Sequence, residues 1–92
     1  MIAEVLAEAL ERAATALEAG NAVAAAAAMT DAGRACHQAD ARGERVDGKA
    51  LPALAALYAR CKLGEERTRA TLEQALESAG SARRAATAYR IL

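Results

Sequence analysis

Apolar residues recur every three to four positions from the start of the chain, the spacing that lines one face of an α-helix. Ile2, Leu6, Ala9, Ala13 and Leu17 form the first stripe, widened by Val5 and Leu10. Glu4, Glu8, Glu11, Thr15 and Glu18 take the opposite side. The pattern predicts a helix over residues 2–19, with Glu8 and Arg12 one turn apart as a favourable surface pair. Gly20-Asn21 then stops it. Glycine accepts the left-handed conformation just past a helix end, and asparagine is a good cap for the helix that follows. So short a turn returns the chain antiparallel.

The second helix is predicted over residues 22–42. Its only bulky apolar residues are Val23, Met29 and Cys36, with alanines and Gly33 between them. A face of small residues lets another helix come close, with dispersion as the main gain. Gly33 costs about 1 kcal/mol against alanine in a helix interior, so it either marks a close crossing or is tolerated drift. Residues 43–49 read as a loop of glycines and charges in which Val46 is expected to tuck against the end of the bundle.

A third helix begins at Leu51-Pro52, proline being favoured in a first turn, and is predicted over residues 51–79. Leu54, Tyr58, Cys61, Glu65, Thr68, Leu72, Ala75 and Ala79 alternate at spacings of 4 and 3, a heptad seam broadened by Leu57 and Leu76. Two outcomes are open at Gly80-Ser81. Either Ser81 caps a short fourth helix over residues 82–92, carrying Ala85, Ala86, Tyr89 and Leu92, or the third helix bends and continues. The expected fold is all-α and a single domain over residues 1–92: an antiparallel helical hairpin plus a long third helix, making a three-helix bundle with or without a short fourth.

Composition thins this picture without changing it. Alanine supplies 29 of the 92 residues, while Leu, Ile and Val together number 15 and Phe and Trp are absent. The helices form easily, because alanine loses no side-chain entropy in them, but they bury little surface. Chains of this size seldom have core to spare, so help from self-association or a partner is expected. Net charge is zero, which argues against a nucleic-acid binder, since those show a basic excess across the whole domain. The charge is nonetheless uneven. Residues 1–20 carry Glu4, Glu8, Glu11 and Glu18 against Arg12, and residues 81–92 carry Arg83, Arg84 and Arg90 with no acid. The simplest expectation is that these two end segments lie side by side.

Candidate chemistry is sparse. Cys36, His37 and Cys61 offer no CxxC or HxxxH spacing for zinc, and neighbours on a helix point about 100° apart, so Cys36 and His37 do not converge on one ion. The same geometry disfavours a Cys–His nucleophilic pair, and the expectation is a buried Cys36 beside a surface His37. No glycine-rich phosphate loop is present. No enzyme activity, metal or cofactor is expected. The longest apolar run, residues 22–29, is far short of a membrane span, and no basic segment precedes an apolar one at the start, so the chain reads as cytoplasmic. Tyr58 is read as part of the seam core, and Tyr89 as either the anchor of a terminal helix or a contact residue. A thin helical hairpin with apolar surface to spare binds helices, either of another protein or of a second copy.

One resemblance sharpens this. The first helix closes on Leu17-Glu-Ala-Gly-Asn, a second helix follows, and the long third carries Leu72, Leu76 and Gly80 before Tyr89. In these elements the chain resembles the small all-helical export chaperones of bacterial type III secretion, especially the FlgN type that escorts flagellar hook-associated proteins. The resemblance implies a cytosolic chaperone whose C-terminal amphipathic helix grips a helix of its cargo. The partner-binding residues expected on this reading are Leu72, Leu76 and Tyr89, with Leu54 and Tyr58 further along the seam. The alternative is a structural module that dimerises through the seam from Leu54 to Leu76.

Overall fold

Each turn forms where local chemistry demands it. In the computed structural model, which describes residues 2–91 (Tyr89 and Ile91 by backbone alone), helix α1 is Ile2–Glu18 and helix α2 is Ala22–Ala41. Gly20 between them takes φ +75°, a conformation costly to any residue with a Cβ. The Asn21 N–H closes the end of α1 by donating to the Ala16 carbonyl at 2.8 Å. The Asn21 side chain then caps α2, accepting from the Ala24 N–H at 3.0 Å. Gly43, at φ +69°, ends α2 in the same left-handed way, and the Glu44 N–H reaches back to the Ala39 carbonyl at 2.9 Å. A 3₁₀ turn at Gly48–Ala50, capped by the Asp47 carboxylate on the Lys49 N–H, leads into helix α3, Leu51–Ile91.

Alpha-helix and this short turn make up the regular structure of the described residues. Helix α1 is the central element and packs against both α2 and α3. Leu10 lies beside Cys61 and Leu17 beside Gly64, so α1 and α3 run in the same direction while α2 returns between the turns. One core cluster joins Leu10, Ala13, Ala14, Ala28 and Cys61, with Leu17, Met29, Leu54 and Leu57 half-buried around it. A second closes the far end with Ile2, Ala35 and Ala39, against which Leu6 and Val46 pack. Val46 thus tucks in as its position in the loop implies.

Several details depart from the sequence pattern. The face that α2 buries consists of Ala25, Ala28, Ala32, Ala35 and Ala39, at spacings of 3 and 4, while Val23 is 82% exposed and Cys36 is exposed rather than buried. An alanine face lets α1 and α2 come close, and a bulkier residue there would hold the axes apart. The close crossing is not at Gly33, where a Cβ would meet nothing within 4 Å. It is at Gly64, where a Cβ would stand 2.8 Å from the Leu17 Cβ. Arg12 bonds Asp31 on α2 at 3.4 Å rather than pairing with Glu8.

Of the two outcomes open at Gly80-Ser81, the structure takes continuation. No helix ends there: α3 runs unbroken for 41 residues, about 62 Å at 1.5 Å per residue. The segments expected over residues 51–79 and 82–92 are therefore one helix as far as Ile91, Leu92 lying outside the described residues. A glycine in a helix interior costs about 1 kcal/mol, and the alanines flanking this one are the best helix formers available to offset it. Helix α3 sets the longest dimension of the molecule, 68 × 23 × 16 Å.

Candidate protein-binding surface

The two halves of α3 have different surroundings. Up to Thr68, the residues turned toward α1 are Leu54, Leu57, Cys61, Gly64 and Thr68, at spacings of 3 and 4. From Arg69 on, every residue of α3 whose side chain is described is exposed except Gly80, which is half-buried. The hairpin turn at Gly20 is reached where α3 passes Thr71, so the rest of the helix extends beyond the hairpin into solvent. Leu72 and Leu76 lie there, 58% and 63% exposed.

The seam read from sequence is out of phase with the packed face. Tyr58 and Glu65 were expected on it, but Tyr58 is 51% exposed, with the Lys62 ammonium 6.0 Å from its ring centre. Leu57 and Gly64 occupy the packed face in their place. Leu54 lies against the core cluster on α1, so it is already occupied within the chain. Of the five residues expected to meet a partner, Leu72, Leu76 and Tyr58 are open to one. The side chain of Tyr89 lies outside the described residues.

A groove of about 460 Å³ marks the corner where α3 leaves the hairpin, and Leu17, Gly20, Gly64, Thr71, Leu72 and Ala75 form its walls. It is continuous with the exposed leucine face. Glu18 borders it and accepts a 2.6 Å hydrogen bond from the Arg60 guanidinium. That bond, helped by the positive charges of Arg60 and Arg67, holds the Glu18 carboxyl below the usual carboxylate range and raises Arg60 in turn. The pair ties α1 to α3 just below the point where α3 becomes free. Among the described residues the charged ends do not pair: α1 is met by Arg60 rather than by residues 81–91, which lie beyond the hairpin turn.

The Cys61 thiol donates to the Leu10 carbonyl at 3.3 Å, and burial, reinforced by the nearby Glu65 charge, pushes its pKa up and so disfavours the reactive thiolate. Among the described residues no three His, Cys, Asp or Glu side chains come together to hold a metal ion. No helix of the described residues is long and apolar enough to cross a membrane. A trough between α1 and α2 is lined by alanines of both helices together with Glu8, Glu11, Arg12, Thr15 and Asn21. No protein-family model matches the chain, and no curated protein or solved structure matches it either.

Proposed function

We propose that this chain is a non-enzymatic protein-binding module, a cytosolic export chaperone of the type III or flagellar kind, that grips a helix of its cargo along the bare half of α3. The observation that supports this reading is the exposure of Leu72 and Leu76, 58% and 63%, on a helix that extends beyond its own hairpin. From Leu72 to the end of α3 is about 30 Å of helix, long enough to carry an i, i+4 pair of anchors and the turns around them. The groove beside Thr71 and Ala75 gives the second side of such a grip. The hairpin acts as a handle, its alanine core and the Glu18–Arg60 bond holding the first half of α3 in place.

The alternative, a structural bundle dimerising along the whole seam from Leu54 to Leu76, is left with only part of that seam, because Leu54 and Cys61 already pack on α1.

The cargo reading is tested by affinity capture from the host lysate with the full-length chain and with Leu72→Asp/Leu76→Asp. Both positions are exposed, so the variant is expected to melt as the wild type does. The expected result is one secreted or flagellar structural protein held by the wild type, unaffected by nuclease, and lost by the variant. Equal capture by both proteins, or recovery of the bait alone, would count against it.

A further inference from the structure

Charge along the bare half of α3 is arranged by sign. Residues 70–79 carry Glu73 and Glu77 and no base, whereas residues 81–91 carry Arg83, Arg84 and Arg90 and no acid. Gly80 stands at the boundary, flanked on both sides by serine and alanine. The ion pairs of the described residues are Arg12–Asp31, Arg42–Glu44 and Arg60–Glu18, so Glu73, Glu77, Arg83 and Arg84 have no ion-pair partner among them. A hollow of about 410 Å³ opens over Gly80 between Arg83, Arg84 and Thr87.

We propose that two copies of this chain pair antiparallel through this stretch of α3 and cross at Gly80. In an antiparallel pair with its twofold axis at residue 80, the acidic segment of each copy lies along the basic segment of the other. At 3.6 residues per turn, Glu73, Leu76, Gly80, Arg84 and Thr87 share one face and Glu77 borders it. Glu77 of one copy then stands beside the partner's Arg84, and symmetry makes the same contact twice. A parallel arrangement would instead set Glu77 against Glu77 and Arg84 against Arg84, which like charge disfavours.

Gly80 and its small neighbours let the two axes approach, and Leu76 covers the aliphatic stem of the partner's Arg83. In the single chain the Arg84 guanidinium folds back. It donates to the Ser81 hydroxyl at 3.1 Å and lies 3.6 Å from where a Cβ on Gly80 would be. It is thus already over the crossing point, with a hydroxyl in place of a carboxylate. The pairing does not depend on the cargo reading, and it covers Leu76 while no cargo is present.

Sedimentation equilibrium of the full chain, from micromolar to near-millimolar concentration at low salt, tests the proposal. The mass is expected to rise from 9.5 kDa toward twice that value. Glu77→Arg alone or Arg84→Glu alone turns two attractions into two repulsions and is expected to raise the dissociation constant about tenfold or more. Both positions are exposed, so the helical circular dichroism should stay unchanged. Mixing the two variants restores opposite charges at both contacts and is expected to restore the dimer. A mass of 9.5 kDa at every concentration overturns the proposal. So does a dimer indifferent to either reversal, which would use another face, or a mixture of the two variants that stays monomeric.

Discussion

The two halves of α3 share one axis and much the same alanine-rich composition, yet among the described residues only the first has a place in the core. Over residues 51–68 the helix presents Leu57, Cys61 and Gly64 to α1, and the face is closed. Over residues 69–91 it presents Leu72 and Leu76 to solvent. The difference teaches that a periodic apolar stripe reports a helix that packs somewhere, and does not say whether its partner lies in the same chain. The hairpin is too short to cover more, since α1 has 17 residues against 41 in α3. Helix propensity and continuity with an anchored first half sustain the remainder, because extending a helix is far easier than nucleating one.

The contrast is most sharply broken or kept by paired leucine truncations. Leu57→Ala removes packing from the main core cluster and is expected to cost about 2 kcal/mol. Leu76→Ala, in dilute protein, is expected to change stability by no more than about 0.5 kcal/mol. Equal losses in chemical denaturation would mean that the second half is covered within the chain after all.

Two of the three helical glycines, Gly64 and Gly33, set a packed helix face against an open one. Gly64→Ala drives a Cβ against that of Leu17, and strain of about 1–3 kcal/mol outweighs a helix-propensity gain of about 1 kcal/mol. A net loss of up to about 2 kcal/mol is expected. Gly33→Ala meets open space inside α2 and is expected to stabilise by about 0.5–1 kcal/mol. Thermal melts of the two single variants should therefore move in opposite directions.

The smallest effect is electrostatic. Folding holds Glu18 below its ordinary pKa of 4.5, chiefly through the hydrogen bond from Arg60. Its contribution is therefore present above that value and fades as the pH falls through the lower folded one. The melting temperature of the wild type should drop on acidification below about pH 4.5, and Glu18→Gln should drop less over the same range. Identical acid profiles would remove the Glu18–Arg60 pair from the account.

Much of the fold was legible because its signals are local. Gly20-Asn21 and Leu51-Pro52 act through a single turn of backbone, and the acidic and apolar faces of α1 are set by 3.6-residue periodicity alone. What was not legible depended on close approach. Alanine is too small to announce which of its copies are buried, so the Ala25-to-Ala39 face was hidden beside the bulkier Val23 and Cys36. The seam of α3 was misread by one position at Tyr58 and at Glu65 because Gly64, the residue in contact with Leu17, carries no side chain to count. Gly80-Ser81 left a stop and a continuation both open, and alanine-rich flanks carry the helix through one glycine. The opposite charges of the chain's two ends were visible, but their separation was not, since it follows from α3 running past the hairpin turn. Leu72 and Leu76 were picked out as contact residues from the stripe and the chaperone resemblance, and their exposure needed the structure.

Residue-resolved amide hydrogen exchange at two protein concentrations tests the central claim, that the second half of α3 has no partner inside its own chain. Slow exchange is expected from Leu54 to Thr68 at both concentrations. Fast exchange is expected from Thr71 to Thr87 in dilute protein, slowing as concentration rises. Amides from Thr71 to Thr87 as well protected in the dilute chain as those of the first half would contradict the claim.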